Sequence, residues 1–267
     1  MQRLTLAFSS LSLWLAGVAC VPVAHGTPAP ESRAVLLELF TSQGCSSCPT
    51  ADAFVRELPR LGFDRSKVVP LVFHVDYWND LGWTDPFSTV GFTARQRRYA
   101  DARGLRAPDG EDGIHGLYTP QMILDGAVHF SGARRQVALA EIERARARPA
   151  VLDLEAEVVL EADRARVKAR VAARQPSASK ESWQIVVAVA AKATSTRVTR
   201  GENTGETLAE AAVVRALSAP VSVTLPQVQP VEIVIPRPAD APWSALEVSA
   251  FVQSGTTLHV AAARILE

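Results

Sequence analysis

The sequence predicts an α/β domain followed by an all-β, sandwich-like domain, and two patterns carry that expectation. Between residues 33 and 148, an apolar run, a turn, a Cys-x-x-Cys, an amphipathic stretch and a second apolar run follow one another. That is the order of a β-α-β unit. From 150 to 267 the pattern changes to short alternating segments punctuated by Pro and Gly, as in an antiparallel β-sandwich.

The gross numbers permit both. The 267 residues are 48% hydrophobic and 21% charged, ordinary for a globular chain with a sizeable core. Lys plus Arg and Asp plus Glu are 28 each, so no global field attracts nucleic acid or an anionic membrane. Residues 1–26 read as a signal peptide. Arg3 supplies the positive start, Leu4 to Val23 the apolar stretch, and Ala24-His25-Gly26 the small residues of a cleavage site. A lipid anchor at Cys20 is the alternative, although Val18 and Ala19 space that signal poorly. No later run of about 18 uncharged apolar residues follows. The expectation is a periplasmic or secreted protein with no transmembrane segment after cleavage.

Cleavage leaves Cys45 and Cys48 as the two thiols, and an oxidising compartment favours a disulfide between them. Val35 to Thr41 suits a buried strand, and Ser42-Gln43-Gly44 is a turn. Ala51, Phe54, Val55 and Leu58 then repeat at helical spacing. Pro49 fits a first turn, and Pro59 and Gly62 close the helix. Cys45 therefore falls at a helix N-terminus, where the dipole and free N–H groups stabilise a thiolate. Cys48 lies one turn on, as a resolving thiol. Three chemistries fit the pair: redox exchange, a silent disulfide, and soft-metal binding, chiefly of Cu(I).

Val68 to Asp76 supplies the second strand. Asp76-Tyr77-Trp78 leaves its C-terminal edge near the cysteines, as a recognition surface or as packing. A helix is expected from Thr93, with Gln96 in a capping box and Gly104 at its end. A polar loop covers 106–116. Pro120 opens a strand, Asp125-Gly126 turns a hairpin, and Ser131 to Arg148 is a charged helix. In the second half, Ala209 to Leu217 reads as strand and Gly201-Glu202-Asn203-Thr204-Gly205 as a hairpin loop, a plain turn first and a ligand-binding loop as the alternative. His74 interrupts an apolar strand and reads first as a satisfied core histidine, with a proton donor or metal ligand near the disulfide as the alternative. Asp52, one turn beyond Cys48, reads by default as an exposed helix acid, with modulation of the thiol as the alternative. No resident cofactor or metal is expected.

With Thr119-Pro120 reached, the pattern resembles the thioredoxin fold. The resemblance implies a cis Pro120 facing the disulfide and a substrate groove shaped by Thr119 and Pro120. It is closer to one exported family of thioredoxin-like proteins of unknown function. The matching runs are Glu38 to Pro49, Val75 to Trp78, Leu81-Gly82-Trp83, Thr93 to Gln96 and Tyr118 to Gln121. Gly201-Glu202-Asn203 and Val213-Val214-Arg215 resemble its later landmarks, and Asn79 stands where that family usually shows Asp. The resulting expectation is a thioredoxin-like domain over 33–148 and a β-sandwich over 150–267. Cys45 and Cys48 would be catalytic, and Thr119, Pro120, Tyr77, Trp78 and Asp76 substrate-binding. The partners would be protein or small-molecule thiols and disulfides.

Overall fold

A computed structural model describes residues 33–104, 117–227 and 229–266, all within one compact unit. The expected signal peptide 1–26, Cys20 and the expected polar loop 106–116 lie outside the described residues.

The strands, in chain order, are β1 (Val35–Thr41), β2 (Val68–His74), β3 (Gln121–Leu124), β4 (Val128–Ser131), β5 (Leu152–Leu160), β6 (Arg164–Ala173) and β7 (Trp183–Ala191). They continue as β8 (Thr194–Arg197), β9 (Thr207–Glu210), β10 (Val213–Leu217), β11 (Val221–Val223), β12 (Val231–Pro236), β13 (Leu246–Ser254) and β14 (Val260–Leu266). The α-helices among the described residues are α1 (Pro49–Glu57), α2 (Val90–Arg103) and α3 (Arg135–Arg146).

The expected α/β thioredoxin-like domain followed by a separate all-β sandwich is overturned. Strand outweighs helix, and one mixed nine-stranded sheet takes strands from both halves of the chain. Its order is β14-β13-β7-β10-β2-β1-β3-β4, with β11 also on β7. The β1-α1-β2 unit forms with parallel strands in register from Val35↔Val68 to Thr41↔His74. On its other side β2 receives β10, where Val213 pairs with Val72 and Val72 N–H donates to Ala212 O (2.9 Å). Strands β5, β6 and β12 form a second layer of three.

Side chains on this sheet alternate between two cores. Leu37, Leu39, Val68 and Val72 face α1 and α3, packing on Phe54, Val55, Leu58, Ala138 and Ile142. Each large apolar side chain buried there contributes about 2 kcal/mol. The same face continues through Val213 to Ile185, Val187, Val248 and Ala250, which the three-stranded layer covers with Val167, Ala169 and Ile233. The opposite face gathers Leu36, Phe40, Val69 and Phe73 with Phe92 and Tyr99 of α2, and with Val186, Val214, Phe251 and Val260 of the second half. This core is shared by both halves.

Two local expectations shift. Helix α2 begins at Val90, three residues before Thr93, because the Thr89 hydroxyl caps it by accepting from Phe92 N–H (3.2 Å). Helix α3 is confined to Arg135–Arg146. The hairpin forms at Asp125-Gly126, both with positive φ (49° and 60°). Its tip rests on the β13–β14 turn, where Val260 N–H donates to Asp125 O (2.8 Å). A Cβ at position 126 would lie 2.1 Å from the Leu258 carbonyl oxygen, so only glycine fits.

Candidate functional site

Cys45 and Cys48 form a disulfide with Cα atoms 5.5 Å apart, at the junction of the β1 turn and α1. Cys48 N–H donates to Cys45 O (3.2 Å), and Pro49 occupies the first helical turn. Ser42 Oγ accepts from Gly44 N–H (3.0 Å), and Ser47 Oγ lies 3.3 Å from Cys45 Sγ. Both cysteines are 0% exposed, whereas Ser46 and Ser47 are exposed. Attack on Cys45 therefore requires its cover to move.

Beside the disulfide lies a cavity of about 620 Å³, lined by Ser47, Tyr77, Trp78, Leu117, Thr119 and Pro120 among others. The Thr119–Pro120 peptide is cis. Trp78 Nε1–H donates to Thr119 Oγ1 (2.8 Å), so two wall residues are fixed against each other. Tyr77 donates to Gln96 Oε1 (3.3 Å), and burial raises its phenol above the ordinary tyrosine range. Thus Tyr77, Trp78, Thr119 and Pro120 come together near the cysteines. Asp76 stands apart from this lining: its carboxylate accepts from the Thr93 hydroxyl, which itself accepts from Asp76 N–H (3.1 Å). Asp76 fastens the start of α2 to the end of β2.

Beneath the turn is a cluster of buried ionisable groups. His74 Nδ1 is 2.7 Å from Asp85 Oδ2, and His74 Nε2 is 3.7 Å from Glu210 Oε1. Asp85 Oδ2 also accepts from Gln43 N–H (2.7 Å). Gln43 Nε2–H donates to Glu210 Oε2 (3.0 Å), and Trp83 Nε1–H donates to Gln43 Oε1 (3.3 Å). Thr41 Oγ1–H donates to Asp52 Oδ2 (3.2 Å). Among the described residues, Asp52 Oδ1, His74 Nε2 and Glu210 Oε1 have no hydrogen-bond partner. Also among the described residues, no three His, Cys, Asp or Glu side chains are arranged to hold a metal ion.

Burial, reinforced by the Glu210 charge, pushes Asp52 up to about 8. Burial alone would lower His74, but the Asp85 hydrogen bond and charge outweigh it and raise it to about 9. The burial of Asp85 opposes ionisation, yet its bonds from His74 and from backbone N–H groups hold it below the usual carboxylate range. At neutral pH the cluster therefore holds protons on both Asp52 and His74. Both groups bind a proton more tightly folded than unfolded, so their contribution to stability falls as pH rises. The Asp52 part declines between its ordinary 3.8 and about 8, and the His74 part between 6.5 and about 9. Denaturant melts of the oxidised protein should show stability dropping from about pH 6 to about pH 9, and Asp52→Asn should flatten that slope. An unchanged slope in the variant would remove Asp52 from the account.

The second half reaches this site through one hairpin. Strands β8 and β9 pair from Thr194↔Glu210 to Arg197↔Thr207. Glu210 at the end of β9 enters the buried cluster, held also by Thr194 Oγ1–H (3.0 Å). At the hairpin tip, Asn203 Nδ2–H donates to Gln43 O (2.9 Å) and Cys45 O (3.0 Å), and Glu202 Oε2 accepts from Ser46 N–H (2.9 Å). Gly201, at φ 76°, brings its Cα close to Trp83; an added Cβ would lie 3.1 Å from the Trp83 Cβ.

Sequence reasoning placed the cysteines, and it paired His74 only with an unnamed partner. Asp52, expected exposed, is buried; Glu210 and Gln43 were not singled out as site residues, and Asp85, Glu202 and Asn203 were read only as members of loops. A signal existed for Asp52: it stands four residues after Cys48 and so shares its helix face.

The fold and site define a β-rich protein with a buried Cys-x-x-Cys disulfide held between a β-α-β unit and a hairpin of its second half. The chain belongs to DUF1223, a family of proteins of unknown function, whose pattern matches residues 36–253. It is similar to a protein of Agrobacterium tumefaciens solved by X-ray crystallography, at 26% identity over 89% of this chain and 96% of that one, with a TM-score of 0.64. It is also similar to HBP35 of Porphyromonas gingivalis, at 12% identity over 87% of this chain and 74% of that one, with a TM-score of 0.61. At that identity the second likeness shows the fold alone. No curated protein matches the chain. No helix among the described residues is long and apolar enough to cross a membrane.

Proposed function

We propose that this chain is an exported thiol–disulfide oxidoreductase, periplasmic or secreted, acting through the Cys45–Cys48 couple on protein or small-molecule thiols and disulfides. The observation that carries the reading is a disulfide closing a four-residue loop at a helix N-terminus, beside a cavity of about 620 Å³ and above a protonated buried cluster. A disulfide that closes so short a loop constrains the unfolded chain little, which favours chemistry over stapling.

From the oxidised form, a substrate thiolate attacks the Cys45 sulfur. The Cys45–Cys48 bond breaks, and Cys48 leaves as a thiolate that takes up a proton. The second substrate thiolate then attacks the substrate sulfur of the mixed disulfide, and Cys45 departs as a thiolate. Two electrons pass from the substrate dithiol to the protein, and the substrate ends as a disulfide. The reverse sequence reduces a substrate disulfide. Asp52, one turn along α1 from Cys48, keeps a proton to about pH 8 near the place where the Cys48 thiolate forms. Tyr77, Trp78, Thr119 and Pro120 offer the substrate an aromatic and apolar wall.

The test is the reduction potential of the couple, measured in glutathione buffers. A value between about −120 and −270 mV is expected, the range of working oxidoreductases. A value below about −300 mV would mark a structural disulfide and overturn the reading.

A further inference from the structure

We propose that Glu202 and Asn203, at the tip of the β8–β9 hairpin, are positioning residues of the disulfide: Asn203 fixes the turn that carries Cys45, and the Glu202 carboxylate biases the couple toward its oxidised form. This rests on the reading of Cys45 and Cys48 as a redox couple.

The geometry is specific on three counts. Asn203 is 7% exposed, and its amide nitrogen donates to two backbone carbonyls, Gln43 O and Cys45 O. Those carbonyls flank Gly44, so one side chain spans the approach to the cysteine. Gly201 seats the hairpin tip against Trp83, with Gly201 N near Gly82. The tip is therefore docked on two loops of the site and does not hang free over it. Glu202, an exposed residue, places Oε2 2.9 Å from Ser46 N.

That last contact has an electrostatic sign. The N–H groups of the turn that runs from Cys45 into the N-cap of α1 at Cys48 are the ones placed to stabilise a thiolate there. Glu202 occupies one of them with a full negative charge. When the disulfide opens, a thiolate at Cys45 meets a competing anion and one fewer free donor. The reduced state is destabilised relative to the oxidised state, which lowers the potential, because stabilising the reduced form is what makes a couple oxidising. Glu202 acts through Ser46 and touches neither sulfur.

Glu202→Gln keeps the shape and an acceptor oxygen but removes the charge. Against glutathione, its equilibrium constant should move about tenfold toward the dithiol, equivalent to about 30 mV for a two-electron couple. The Cys45 thiol, followed by thiolate absorbance, should ionise more readily by a similar factor. The difference between variant and parent should shrink as salt is added, since an exposed charge is screened; a purely structural contact would give no such trend. Asn203→Ala should lower thermal stability, and Glu202→Gln should leave it unchanged. An unchanged or more negative potential in Glu202→Gln overturns the proposal. The comparison is between two proteins, so it stands even where the parent potential falls below the range of working oxidoreductases and the broader reading fails.

Discussion

Cys45→Ala is expected to abolish exchange with a small aromatic disulfide reagent, and Cys48→Ala is expected to stall it halfway. With Cys48 gone, Cys45 still attacks, but nothing resolves the adduct. The variant should accumulate as a mixed disulfide, one substrate moiety heavier by mass spectrometry. Retained turnover in Cys45→Ala would end the oxidoreductase reading. Unfolding does not explain the expected loss. Opening a four-residue loop removes about 2 kcal/mol of stabilisation by the chain-entropy argument, which a domain of ordinary stability survives. Denaturant melts run beside the activity assay separate the two effects. The burial of both sulfurs adds a kinetic corollary: exchange should be slower than with an exposed thiol pair, because the cover must open first.

The largest effect on stability is expected at Arg95. Its guanidinium is buried at the centre of the core shared by both halves, donating to Glu38 of β1, to Tyr99 Oη (3.0 Å) and to Gln253 Oε1 of β13 (3.3 Å). It also lies 5.1 Å from the centroid of Phe251 and 5.6 Å from that of Phe73. Tyr99 completes the set by donating to the second Glu38 oxygen. Arg95→Ala leaves the Glu38 carboxylate buried without its cation, and losing one partner of a buried pair costs about 3–5 kcal/mol. The double variant Arg95→Met with Glu38→Leu should recover much of that loss, because it strands no charge. Equilibrium unfolding of the three proteins decides it. A single variant within about 1 kcal/mol of the parent would overturn this account of the buried pair.

The parts of the site that were legible in the sequence are the local ones. Strand, turn, cysteines and α1 lie within 23 residues of one another, from Val35 to Glu57, so spacing alone orders them. The buried cluster was not legible, because Asp52 comes from α1, His74 from β2, Asp85 from a loop and Glu210 from the separate β8–β9 hairpin, and only the tertiary fold brings them together. The single sheet escaped for a related reason. Alternation says which face of a strand is buried but not which strand lies beside it. A clue was nevertheless present. Strands β5, β6 and β12 alternate as outer sandwich strands should, whereas β7 (Trp-Gln-Ile-Val-Val-Ala-Val-Ala-Ala) is a nearly unbroken apolar run. Such a run belongs to a strand covered on both faces. It sits in the middle of a sheet with helices or a second layer on either side, and a two-sheet sandwich open to water does not offer that place.

The narrow seam between β10 and β2 also bears on how relatives of this chain can diverge. A recombination crossover near Pro149 would deliver a foreign second half, and that half would need Val213 in register with Val72. It would also need a Gln253 equivalent to reach Arg95, and a hairpin whose tip carries both the carboxylate and the amide for the cysteine turn. These requirements are spread over more than 50 residues and answer to different partners. Inheritance should therefore treat the two halves as one linked block, changing together along a lineage and seldom traded between lineages.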